Sequence, residues 1–335
     1  LEEELKSHQG SQTFPGSKAF KLYDTYGFPL DLTQDILRSK NIEVDIKGFN
    51  QSLEDQKSRA RSSWSGSGDK STEKIWFNLS NKINKTEFIG YENNVSQAEV
   101  LSIISNSVEV DQISKNQQGR IILNQSVFYA ESGGQIGDVG NIRCGECNFK
   151  VTDTQKKENL IIHYGVVSDG VFKIADVVEL EIDINRRSSC RSYHSATHIL
   201  HQALRDTLGD HVTQKGSLVS YDRLRFDFSH HKGLSEDEIK NIEGIVNNII
   251  NSNLNVETKI MKSEDAINLG ALALFGEKYD DEVRVLSIGD NNSASYSLEL
   301  CGGTHVEKTS EIGNFKIINE SSAASGIRLS LIHIS

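Results

Sequence analysis

Cysteine is scarce in this chain: four in 335 residues, Cys144, Cys147, Cys190 and Cys301, too few and too irregularly placed for the disulfide framework of a secreted protein. Reduced thiols or metal ligands are the roles left to them. No apolar run approaches the roughly 18 to 20 residues of a membrane span, which argues against a membrane partner. The opening LEEELKSH is neither a signal peptide nor a basic transit sequence, so the expected compartment is the cytoplasm, or an organelle matrix after processing. Positive charge is also short: the net formal charge of −11 argues against a nonspecific polyanion binder, whose domain is usually basic. There is no internal repeat. The first residue is Leu1 rather than Met, which reads as a fragment or a processed chain.

What is present dominates the reading. His194 and His198 lie in HSATH, and Cys301 and His305 lie in CGGTH, each pair spaced i, i+4. Three imidazoles and one thiolate form a set suited to Zn²⁺. Around the first pair Ile199, Leu200, Ala203, Leu204 and Leu208 recur at helical period, so both imidazoles are expected on one helix face. In the second pair Gly302 and Gly303 follow Leu298 and Leu300, which predicts a strand running into a tight turn that brings His305 back beside Cys301. A zincin protease would carry Glu directly after the first His; Ser195 stands there, which argues against peptide hydrolysis by that route.

Length allows two or three domains. Residues 17 to 61 read as helical: Pro29 and Asp31 precede an amphipathic run through Ile36 and Leu37. A second helix around Phe49, Leu53 and Gln56 ends in Lys57, Arg59 and Arg61. SSWSGSGDKS then reads as a linker or exposed loop. From about 86 to 184 short β-type runs separated by Gly, Asn and Asp turns predict a small antiparallel barrel or sandwich. Beyond Arg186 the pattern is mixed, with a helix opening at Ser235 and Glu238 as its capping-box partner, predicting a sheet with helices on one face. Arg186, Arg187 and Arg191 are expected before the metal helix, and Lys215, Arg223, Arg225 and Lys232 after it, gathering positive charge around the metal.

The stretch ESGGQIGD, with Gly133 and Gly134, is either a hairpin turn or a loop that lets a ligand approach the backbone. Cys144-Gly-Glu-Cys147 has half-site metal spacing but no answering pair, so a hairpin is expected. Cys190, four residues before His194, is an alternative ligand if the helix starts early. His201, His211, His230 and His231 are expected at the surface or facing RNA.

HSATH, QKGSLV with RLRFDFSH, ALFGEKY and ELCGGTH together closely resemble the editing domain of the alanyl-tRNA synthetase family. YAESGGQIGD and VTDTQK resemble the barrel in front of it, and FKLYDTYGFPLDLT resembles the end of the tRNA-recognition region. The resemblance implies an α+β chain: a helical segment (1–72), a small antiparallel β-barrel (73–185) and a zinc-containing α+β editing core (186–328) of the threonyl/alanyl second-additional-domain type. It also implies that the aminoacylation core lies outside these residues, to be supplied in cis by the full-length protein. The tail 329–335, LSLIHIS, departs from the family pattern and is read as foreign or out of frame.

The activity so implied is hydrolysis of tRNA(Ala) mischarged with Ser or Gly, at one Zn²⁺ per chain. The resemblance puts Thr197 and Gln214 in the pocket, with Glu299 as general base or as partner of a ligand His. Gly133, Gly134, Gly302, Gly303, Lys215 and Arg225 are the expected substrate contacts. Two other readings remain: a zinc-stabilised tRNA-binding module without catalysis, and a free-standing deacylase acting in trans.

Overall fold

The computed structural model describes residues 13–26, 30, 33–34, 37, 42–53, 69–83, 85–272, 281–289, 295–324 and 326–335. They fall into two compact units, Leu1–Lys70 and Ser71–Ser335. In the first, helix α1 (Gly16–Tyr26) follows Thr13–Phe14, which pairs in parallel with Glu43–Val44. Phe14, Ala19, Leu22, Leu37 and Phe49 form its core. A helix over 46–53 carries Phe49 and Leu53 as predicted. Pro29, Asp31, Ile36, Gln56, Lys57, Arg59 and Arg61 lie outside the described residues, as do ALFGEKY and most of the expected linker. The last three residues of that linker belong to helix α2 (Asp69–Lys82).

The second unit opens with a barrel. Its strands are β1 (Val95–Ser105), β2 (Gln118–Leu123), β3 (Gly140–Cys144), β4 (Cys147–Lys157), β5 (Leu160–Asp169) and β6 (Val177–Ile182). They run in the order β6-β3-β4-β5-β2-β1, and β6 pairs back onto β1, so the antiparallel sheet closes. Closure leaves neither β1 nor β6 as an open edge. Alternate residues point inward, and Val100, Ile103, Ile142, Phe149, Val167 and Leu180 fill the interior with Phe128 and Phe172. Trp76, Leu79 and Ile83 cover an outer face made by Ile104, Ile122, Leu160 and Ile162. Cys144 and Cys147 face each other across the β3–β4 turn, where Gly145 has φ +59°, so this spacing is a hairpin.

From β6 the chain passes without a loop into helix α3 (Ile184–Leu208). Asp183 caps it, its carboxylate accepting the Asn185 and Arg186 amides at 3.1 Å. The helix thus begins ten residues before His194, and Arg186, Arg187 and Arg191 lie on it rather than ahead of it. Arg187 is fully buried. Its guanidinium pairs with Asp138 and donates to the carbonyls of Gly90 (2.6 Å) and Val127 (2.8 Å). It fastens helix to barrel instead of contributing to a basic strip.

The strands after α3 are β7 (Gln214–Val219), β8 (Leu224–Ser229), β9 (Val256–Lys262), β10 (Glu282–Ile288), β11 (Ser297–Leu300), β12 (Phe315–Ala324) and β13 (Ile327–Ile334). Helix α4 (Glu236–Asn251) opens with the predicted Ser235–Glu238 capping box, and α5 (Ser263–Asn268) is short. Among the described residues beyond Arg186 there are two sheets, not one: β7-β8-β13-β12 and β9-β10-β11. The partner that completes the first is the distant C-terminal strand, which local pattern does not announce. Leu329–Ile334 lie within that strand, between β8 and β12, with Ile332 buried in the core. One face of α3 (Ile199, Leu200, Ala203, Leu204) packs with Phe226 and Phe228 of β8 and with Ile242, Val246 and Ile250 of α4. Among the described residues no helix is long and apolar enough to cross a membrane.

Candidate metal centre

Helical spacing puts His194 and His198 side by side, ring centroids 5.4 Å apart and planes within 12°. β11 ends at Leu300, and the turn after it carries Cys301 and His305 onto these rings. Gly303 makes the approach possible: a Cβ there would lie 2.0 Å from the His194 ring. The turn is held from outside. Tyr91 Oη donates to the Gly302 carbonyl (2.6 Å), and Arg284 donates to the carbonyls of Gly303 (2.6 Å) and Cys301 (3.2 Å) while stacking 3.9 Å over the Tyr91 ring. As a result one ligand atom from each of His194, His198, Cys301 and His305 lies within 4.8 Å of all the others.

The ring orientations fit a metal ion. His194 Nδ1 meets Gln135 Oε1 at 2.8 Å, His198 Nδ1 meets Glu299 Oε2 at 2.6 Å, and His305 Nδ1 meets Ser195 Oγ at 3.2 Å. Gln135 Oε1 also accepts the Thr304 amide (3.0 Å), and Glu299 is a carboxylate, so the first two Nδ1 atoms carry the proton. Each Nε2 lone pair is then left for the ion. Cys301 Sγ lies 3.5 Å from His194 Nε2 and 3.2 Å from His305 Nε2, while His198 Nε2 is buried with no hydrogen-bond partner.

Charge couples the four residues: burial opposes a charged His198, but Glu299 and Cys301 overcome it and hold the pKa of that ring at about 10, so an ion entering here displaces a proton from it. Burial alone would raise the Cys301 thiol, but His194, His305 and His198 outweigh it and hold the group well below its usual value, toward the thiolate. Burial likewise opposes ionisation of Glu299, and the contacts to His198 and His201 overcome it, setting its pKa near 2. Burial drives His305 down to about 3, keeping it neutral.

A cleft of about 370 Å³ opens beside the four residues. Thr197, Gln214, Gly133, Gly302 and Gly303 line it, together with Ser217, Lys156 and Arg284. The Thr197 hydroxyl bonds back to the Tyr193 carbonyl at 2.9 Å, and Gln214 Nε2 donates to Ser217 Oγ at 3.0 Å. Gly133 and Gly134 adopt φ +58° and +82° in a tight Ser132–Gln135 turn, and Gly134 abuts the Ser217 backbone. Lys215 and Arg225 are exposed and do not line the cleft; Arg225 pairs with Asp227 at 3.0 Å.

Glu299 is 1% exposed, and both its oxygens are engaged, by His198 and by His201 (2.8 Å). His201 is therefore a buried partner of the centre rather than a surface residue, and His230 is buried too; only His211 and His231 are exposed as expected. Cys190 is buried, its thiol pushed up to about 12 by burial first and by Asp138, and it stands apart from the cluster. Sequence reasoning did not single out Gln135, Lys156, Arg284 or the orienting role of Ser195. Two of them had a signal, Gln135 in its place inside ESGGQIGD and Lys156 at the end of VTDTQK.

Residues 1–186 match the family model described as tRNA synthetases class II (A), and residues 283–329 match the threonyl and alanyl tRNA synthetase second additional domain. The alanine-tRNA ligase of Parvibaculum lavamentivorans is 50% identical over 333 residues, covering 98% of this chain and 37% of that protein. Those of Rhodopseudomonas palustris and Nitrobacter winogradskyi are 48% and 49% identical, each over 98% of this chain and 38% of the relative. The chain belongs to the alanyl-tRNA synthetase family. It spans a little over a third of the length of these synthetases. Neither family model reaches His194 or His198, so within this synthetase sequence the first half of the ligand set rests on the geometry above.

Proposed function

We propose that the cleft is the editing site of an alanyl-tRNA synthetase, hydrolysing the ester that joins Ser or Gly to the terminal ribose of tRNA(Ala). The observation that carries this reading is the convergence of His194, His198, Cys301 and His305, with ligand nitrogens aimed by Gln135, Glu299 and Ser195, on the wall of a cleft that also presents Thr197 and Gln214.

An alanine-activating pocket rejects glycine poorly, because one methyl group is worth about 1–3 kcal/mol. It rejects serine poorly as well, since a small pocket discriminates weakly against an added hydroxyl. A second site that hydrogen-bonds the serine hydroxyl does better. Alanine entering it would leave buried polar groups unpaired, giving discrimination of order 10⁴ or more. Thr197, Gln214 and Ser217 supply hydroxyl and amide groups for that contact.

His194, His198, Cys301 and His305 would hold one Zn²⁺, which when bound would polarise an ester carbonyl, acidify a water or anchor the amino group of the substrate. Glu299 acts as a positioning residue: with both oxygens engaged it keeps the protons of His198 and His201 on Nδ1. Gln135 does the same for His194. Lys156 and Arg284 add positive charge to the cleft rim, where an acylated nucleotide end carries phosphate. Within this reading 73–185 is the barrel subdomain and 186–328 the editing core. A cytoplasmic location accompanies it, and ligation of alanine belongs to a longer protein containing the aminoacylation core.

The test is release of serine from Ser-tRNA(Ala) by zinc-loaded chain. Release is expected, with loss in Cys301→Ala; equal rates for the two proteins would reject the proposal. Four protein ligands also describe a closed structural site, which favours a tRNA-binding module as the second reading. Gln214→Ala separates them, since a module would keep both tRNA binding and zinc with no deacylation to lose.

A further inference from the structure

A second group of imidazoles lies away from the cleft. His211 sits in the loop between α3 and β7, and His230 and His231 directly follow β8. One nitrogen of each lies within 4.8 Å of the other two. His211 Nε2 is 2.9 Å from His230 Nδ1, and the His230 and His231 ring centroids are 4.7 Å apart. We propose that His211, His230 and His231 form a second, three-imidazole site for a divalent first-row transition metal, with the remaining positions open to water.

Three features support it. The backbone is preset: the His230 amide donates to the Gly326 carbonyl (3.0 Å), and Ser229 Oγ donates to the His211 carbonyl (2.8 Å), so two of the three residues are fixed before any ion arrives. His230 is only 4% exposed and its Nδ1 faces His211 Nε2, so the two nearest ring nitrogens meet in a spot largely shielded from water. Lys232, the cation next in sequence to His231, is paired with Glu238 at 3.0 Å, which blunts its repulsion of an incoming ion.

Geometry narrows the ion. Two nitrogens 2.9 Å apart, each about 2.05 Å from a metal, subtend about 90°, an angle of octahedral or square-planar coordination rather than of a tetrahedron. All-nitrogen ligation without thiolate selects Ni²⁺, Cu²⁺ or Co²⁺ over the hard cations Mg²⁺ and Ca²⁺. An ion here would tie the loop after α3 to the end of β8. Gln214, three residues beyond His211 and paired with Phe228, would be stiffened with it.

The test uses the whole chain and Co²⁺ as probe, followed by optical titration. The Cys301 centre gives sulfur-to-metal charge-transfer absorption, and a three-imidazole site gives ligand-field bands alone. Expected are two equivalents per chain, of which only one carries charge transfer. The double variant His211→Asn/His231→Asn, changed at two exposed positions, is expected to lose the equivalent without charge transfer and keep the other. A single equivalent in the parent chain, or two that survive in the double variant, would overturn the proposal. Cys301→Ala is a separate arm: loss of its charge-transfer equivalent alone bears on the cleft and leaves this inference standing.

Discussion

Glu299 shows how much a single side chain carries. One carboxylate, 1% exposed, accepts from the Nδ1 atoms of two histidines and so decides which nitrogen His198 offers to an ion. Replacing it by Gln removes the charge and puts a donor amide against at least one imidazole N–H. Glu299→Gln is therefore expected to weaken zinc binding by about 10–100-fold while the fold persists, measured by competition with a chelating dye. Unchanged affinity would mean that the carboxylate does not set the tautomer. Gly303 makes a harsher case, since even a methyl would collide with the His194 ring at 2.0 Å from backbone that Arg284 already holds. Gly303→Ala is expected to abolish stoichiometric zinc, as read by elemental analysis of folded protein. The four candidate ligands were legible because i, i+4 spacing is local. Their partners were not: Gln135 and Glu299 lie 59 and 101 positions from the rings they orient, and no local pattern links them.

At the scale of elements, α3 is where barrel and α+β layer become one object. Its first turn is capped by Asp183 at the end of β6, its second turn is locked by Arg187, and its third and fourth carry the ligands. A charged residue is almost never fully buried without a partner, and in sequence Arg187 looks like its exposed neighbours Arg186 and Arg191. Asp138, 49 positions earlier, explains the difference, and also gives the last residue of ESGGQIGD a structural task. Removing one partner strands the other charge in the interior, so Arg187→Met is expected to cost about 3–5 kcal/mol in urea denaturation. The double change Arg187→Met/Asp138→Leu is expected to recover part of that loss, because the stranded carboxylate is gone. Additive losses in the double variant would argue that the pair is not the source of the coupling.

For the whole molecule, a small antiparallel barrel or sandwich followed from short β-type runs, whereas the closure of that sheet and the pairing of the C-terminal strand Ile327–Ile334 with β8 did not. In the tail read as foreign, Ser330 and Ile332 are buried while Leu329 and Leu331 are half-buried, the period of a strand that the residue types themselves do not show, and its β8 partners lie about a hundred positions upstream. The barrel also carries a proton-sensitive element that the sequence hid among ten histidines. His163 is fully buried, bonded to the Ile121 carbonyl (2.9 Å) and to Ser126 Oγ (2.8 Å), and burial lowers its pKa from 6.5 to about 4. Between those two values the unfolded chain binds a proton that the folded chain refuses. Stability is thus complete above about pH 6.5, falls as pH drops toward 4, and levels off below, with a total loss of about 3 kcal/mol from this one group. Denaturation midpoints measured across that window for the parent chain and for His163→Gln are expected to converge at low pH, because the variant lacks this limb. Parallel curves with a constant offset would place the acid sensitivity elsewhere in the molecule.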